Sequence, residues 1–198
     1  MHKGLNSLSL ISLIFTTLSG CSMISDTLSR HQGIGKVTKD IPHFANATII
    51  KMSPAPLHKK ESRNSSVELG GQWSSRFPDA IILMPSFSQP QQENRRTDIE
   101  EIDVTIDGDV SKFKVNRSTN LCRKGCHPLS NNHRKSRNYI IIPFDYLEQM
   151  MNADDCQLRV YTANGHDDSH FSVERIPGGQ GTAKRFMHKF ISTIKSSM

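Results

Sequence analysis

The sequence predicts an α+β fold, a mostly antiparallel, curved sheet with two helices packed on it. Three observations carry that expectation. Ile102, Val104 and Ile106 alternate with Glu101, Asp103 and Thr105, and Asp107-Gly108 then supplies the positive-φ dipeptide of a tight hairpin. Short β-branched runs bounded by prolines and polar stretches recur, as in Ala47–Met52 and Ala80–Met84. Two segments near the C-terminus, about 144–152 and 182–195, repeat their apolar residues with the helical period.

Taken in order, Ala47–Met52 reads as a strand that Pro54 and Pro56 end. His58–Ser66 is polar and basic with nothing to bury, hence a loop, and a weaker strand is expected around Val67–Trp73. Ala80–Met84, between Pro78 and Pro85, reads as a buried strand, and Gln89–Thr97 as a polar loop. After the Asp107-Gly108 turn, Phe113 and Val115 alternate on the way back. The same stretch echoes a calcium loop through Asp103, Thr105, Asp107 and Asp109. Lys114 stands where that loop needs a bidentate glutamate, so a hairpin is expected.

Tyr139–Ile142 reads as a strand. Pro143 can open a helix over Phe144–Asn152, whose Phe144, Leu147, Met150 and Met151 form one apolar stripe. Asp154-Asp155 turns the chain, Gln157–Thr162 is a strand, Asn164-Gly165 turns again, and His170–Ile176 is the expected last strand. Thr182 is placed to cap a helix running to Lys195. Its Phe186, Phe190 and Ile194 face the sheet, while Lys184, Arg185, His188 and Lys189 lie mainly on the other side.

The start of the chain has a different character. A cationic Met1-His2-Lys3 leads into the apolar run Leu8–Phe15, and small residues follow up to Leu18-Ser19-Gly20-Cys21. That is the layout of a secretory signal, too short to span a bilayer comfortably. Its last four residues resemble the lipobox of bacterial lipoproteins. The resemblance implies cleavage before Cys21, a diacylglycerol on its sulfur and an acylated new amino terminus, with palmitate-type chains holding the protein on a membrane. In the Gram-negative members, the residue after the cysteine sorts between membranes, and Ser22 looks like an outer-membrane address. The expected organisation is therefore a signal peptide over 1–20, an acylated tether over 21–40 and a single α+β envelope domain over 41–198. Gly33-Ile34-Gly35-Lys36 is a fragment of a phosphate-loop pattern without its spacing or terminal Ser/Thr, and reads as linker.

Charge narrows the partners. The formal net charge is +6, and loss of Lys3 with the signal would leave +5 on 178 residues. Such an excess favours phosphate-bearing or acidic neighbours in the envelope, and no nucleic acid is expected there. Six of the cations, Arg117, Arg123, Lys124, Arg134, Lys135 and Arg137, fall within 117–137, which contains no acid and reads as one basic loop. These six are the candidate contacts to an anionic partner.

Cys122 and Cys126 sit inside that loop, followed by His127. An oxidising envelope suits a Cys122–Cys126 disulfide. Pairing of either cysteine with Cys156, a metal pair recruiting His127 or His133, and haem attachment are the competing readings. Haem attachment needs one residue fewer between the cysteines. A packed free thiol is the plain expectation for Cys156, at the head of a strand. His166-Asp167-Asp168-Ser169-His170 offers metal-ligand types, but on a turn it reads as solvated polar chain. Gly178–Thr182 before a helix could meet a phosphate with free amides, but lacks the phosphate-loop lysine and serine.

No catalytic triad can be assembled from spacing, and no cofactor or metal is expected. The favoured expectation is a non-enzymatic accessory or interaction protein anchored in the outer membrane. The competing one is an envelope hydrolase, or a metal- or haem-binding protein, using His127, His133, His166 or His170. Convergence of those histidines with a carboxylate would decide between them.

Overall fold

The computed structural model describes residues 33–42, 46–59, 65–90, 98–115 and 133–198, and every structural statement below concerns these. The expected signal peptide, Cys21, the expected tether up to residue 32, and Arg117, Cys122, Arg123, Lys124, Cys126 and His127 of the expected loop lie outside them.

Ten strands form two antiparallel sheets. The first holds β1 (Val37–Asp40), β2 (Ile49–Pro56), β3 (Ser66–Ser74) and β4 (Ala80–Pro90) in sequential order. The far edge of β4 takes two further strands: β7 (His133–Arg137) on its second half and β8 (Ile140–Pro143) on its first. The second sheet has the order β10-β9-β5-β6, from β5 (Ile99–Ile106), β6 (Asp109–Lys114), β9 (Cys156–Thr162) and β10 (Gly165–His170). Helix α1 (Phe144–Asn152) packs on β8 and β4, and α2 (Ala183–Lys195) lies across β1, β2 and β3. One apolar cluster joins both sheets and both helices, with Trp73, Phe171, Phe190, Ile50 and Leu147 among its fully buried members. The expected α+β class is what the structure shows, as two sheets around one core and not a single curved one.

The elements of the C-terminal half follow their sequence signals. The β5–β6 turn has Asp107 at φ 49° and Gly108 at φ 99°, the mirror-image turn whose twist suits a two-residue hairpin. Pro143 precedes α1, which buries Leu147, Met150 and Met151. Helix α2 buries Phe186, Met187, Phe190 and Ile194. Thr182 is its N-cap residue, but the hydroxyl is spent on the carbonyl of Val173 and caps nothing.

Four boundaries differ, each for a local reason. Strand β2 runs on through Pro54 and Pro56, because the register shifts between Met52 and Ala55 and the bulge needs no ladder donor there. Strand β4 likewise continues through Pro85. That proline sits where β4 changes partner from β8 to β7, and its carbonyl accepts the Asn138 N–H at 3.0 Å. The end of the expected tether is a strand: Val37–Asp40 pairs with Ile49–Met52. Finally, the last strand is β10 over Gly165–His170, and 171–176 is not a strand. The supposed solvated turn His166–His170 is thus sheet, with Asp167 and Ser169 pointing inward and buried.

Candidate functional site

Of the six candidate cations, Arg134, Lys135 and Arg137 belong to strand β7 and not to a loop. Lys135 Nζ lies 2.6 Å from Glu68 Oε2 across the sheet, and Glu68 also receives the buried Ser86 hydroxyl at 3.3 Å. Lys135 is therefore a neutralised sheet residue. Reversing its charge would set two carboxylates together, so a clean charge-reversal test keeps to Arg117, Arg123 and Lys124.

The histidines converge only in part. His133 is in β7, while His166 and His170 share β10. His166 lies on the outer face with its ring 5.9 Å from that of Tyr161. His170 meets a residue outside the expected set, His58, with ring centroids 6.2 Å apart and their backbones bonded in both directions. Its Nδ1 is 3.7 Å from Asp155 Oδ1. Asp168 is gripped from two sides by Arg159, at 2.6 and 2.8 Å. Among the described residues, no three of His, Cys, Asp and Glu are grouped so as to hold a metal ion.

Two polar constellations were not legible in the chain. The first is internal. Lys59 Nζ is bonded to Asp167 Oδ2, to Ser65 Oγ at 2.7 Å and to the Ser65 carbonyl at 3.1 Å, and the Ser65 hydroxyl donates to the same Asp167 oxygen at 2.5 Å. The side chains of Lys59 and Asp167 are only 13% and 6% exposed. A serine next to a lysine suggests nucleophilic chemistry, but here three acceptors surround the ammonium and a carboxylate holds its charge. That arrangement clips the end of the first sheet to β10.

The second constellation is open to solvent. Where the chain enters the domain, Gly35 (φ 59°) is packed so closely that a Cβ there would lie 2.2 Å from Cγ of Phe186. The Gly35 N–H donates to Pro54 and the Lys36 carbonyl accepts from Ser53, which fix this segment along β2. Between it and α2 runs a groove of about 470 Å³, with Lys36 on one wall and Arg185, His188 and Lys189 on the other. Phe186 forms its floor, and among the described residues no carboxylate lines it. Glu174 Oε1 lies 3.3 Å from His188 Nε2. The helical spacing of 185, 188 and 189 puts those three on one side of α2, which the sequence does show. The opposing Lys36 was hidden because residues 33–36 read as linker.

With that geometry established, comparison with known proteins adds nothing. No family model matches the chain, and no curated protein or solved structure matches it. Its chemistry has to be read from its own residues.

Cys156 is a buried free thiol at the start of β9, as its plain reading expected, so it pairs with neither Cys122 nor Cys126 here. Burial pushes its pKa up from about 9 to about 12, against an opposing pull from Lys184. Unfolding frees the thiol to ionise near 9, so this contribution to stability is intact below pH 9 and is lost as pH climbs towards 12. The three-unit difference corresponds to about 4 kcal/mol. Urea midpoints measured across that range should fall more steeply for the wild type than for Cys156→Ala. Parallel curves would contradict the buried-thiol assignment.

Proposed function

We propose that this chain is a non-enzymatic envelope lipoprotein, held in the outer membrane by acyl chains on Cys21, that presents cationic surface to an acidic or phosphate-bearing component of the envelope. The observation that carries the reading is the order of features along the chain. Cys21 of a lipobox-like Leu18-Ser19-Gly20-Cys21 stands twelve positions before Gly33, and the segment that begins there forms a wall of the cationic groove. The residue expected to carry the anchor and a surface fit for anions are thus close along the chain. Arg117, Arg123 and Lys124, outside the described residues, add to the same excess of positive charge. Two or more acyl chains make an effectively permanent tether, at about 0.8 kcal/mol per buried methylene. Among the described residues no helix is long and apolar enough to cross a membrane.

The direct test is Cys21→Ser. Acyl labelling should vanish and uncleaved precursor should accumulate, because lipid attachment precedes cleavage at such a site. Normal cleavage with unchanged labelling would remove the anchor and this reading with it.

A further inference from the structure

We infer that the groove between residues 35–37 and helix α2 binds the phosphate of an anionic lipid headgroup in the same membrane that carries the anchor. The inference rests on the lipoprotein reading above and names the partner of its cationic surface.

Four observations lead to it. The groove is bounded by cations on both walls, Lys36 from the entering chain and Arg185 and Lys189 from the helix, with the His188 ring beside them. Groups approaching from opposite sides surround a compact anion, whereas a one-sided strip suits an extended acidic chain. Among the described residues Lys36 and Lys189 make no ion pair, so their charge is available to a ligand, and Glu174 lies against His188. The shape is held by packing, because Gly35 lies against the Phe186 ring and Phe186 is 5% exposed at the base. A rigid cradle loses less entropy on binding than cations on free chain.

Reach completes the argument. Eleven residues lie between Cys21 and Gly33, and even fully extended this stretch spans at most about 40 Å. An acylated Cys21 therefore keeps the groove within that reach of a dense layer of headgroup phosphates. Screening over a Debye length of about 8 Å means that the groove senses the surface only when it closes on it, which a tether of this length permits. Basic residues close to an anionic leaflet act together, which suits a site carrying several of them.

The test uses the full acylated protein reconstituted in vesicles of phosphatidylcholine alone or of phosphatidylcholine with phosphatidylglycerol. The anchor is common to both, so only the headgroup charge changes. Lysine acetylation is then quantified residue by residue. Labelling of Lys36 and Lys189 should drop about fivefold or more in the anionic vesicles and recover in high salt, while the exposed Lys112 on β6 changes little. Equal labelling in the two vesicles, with the protein attached to both, would overturn the inference and leave the anchor standing. Failure to attach to either would overturn the lipoprotein reading and the inference together. Inorganic phosphate added to the neutral vesicles separates the sources. Protection of the two lysines by phosphate alone, with no effect of phosphatidylglycerol, would assign the groove to a free anion and overturn the lipid assignment.

Discussion

Asp167→Ala is expected to lower the unfolding free energy by about 3–5 kcal/mol, one of the two largest effects of any single substitution considered for this protein. The variant leaves the Lys59 ammonium, 13% exposed, without its counter-charge. It also takes from the Ser65 hydroxyl its acceptor. Removing one member of a buried pair costs more than the pair contributes, because the survivor keeps its desolvation penalty. The double variant Lys59→Met, Asp167→Leu should therefore recover most of the loss. Urea unfolding of the four members of this cycle supplies the measurement. A loss under about 1 kcal/mol for Asp167→Ala would mean that water reaches the pair and that the clip between the first sheet and β10 is weak. The cycle also bears on chemistry. A lysine engaged by three acceptors is poorly placed to serve as a base, so Ser65→Ala should act on stability.

Gly35→Ala is the second. Two costs coincide at this position: a φ of 59°, which disfavours any side chain, and a Cβ that would meet the Phe186 ring at 2.2 Å. The first is worth about 1–2 kcal/mol and the second about 1–3 kcal/mol, so a total of roughly 2–5 kcal/mol is expected. The strain should concentrate at the entry of the chain. Backbone amides of β1 should exchange faster, and the Lys36 wall of the groove should loosen before the core does. In a Phe186→Ala background the clash disappears and only the φ cost remains, so the two substitutions should be less than additive. Full additivity would show that residues 35 and 186 do not touch. Gly35→Ala joins the fold to the proposed site, since lost lipid protection of Lys36 without global unfolding would show that the cradle depends on this contact.

Much of the architecture was legible because it depends on short-range chemistry. Alternation at Ile102, Val104 and Ile106, the Asp107-Gly108 turn, the proline before Phe144 and the apolar stripes of both helices each act within a few residues. Those signals determined the α+β class and the limits of α1 and α2. The lipobox resemblance of Leu18-Ser19-Gly20-Cys21 likewise rests on adjacent residues alone.

Tertiary structure alone decided where polar residues could be buried. Nothing in His166-Asp167-Asp168-Ser169-His170 looks like a strand, because its inward positions are Asp167 and Ser169. Asp167 is tolerated there since Lys59, 108 residues away in sequence, arrives to neutralise it, whereas the Ser169 hydroxyl is buried without a hydrogen-bond partner among the described residues. Lys135 changed from a free cation to a sheet residue for the same reason, by meeting Glu68 across two strands. Pro54 and Pro85 read locally as strand ends, yet a bulge and a change of partner strand relieve the need for a donor at each. The groove belongs with these cases. Its α2 cations follow from helical spacing, but the opposing Lys36 is set in place only by a side-chain-free Gly35 lying against Phe186. Periodicity reports what a segment can bury, whereas charge pairing and close backbone approach depend on residues the chain brings together only after folding.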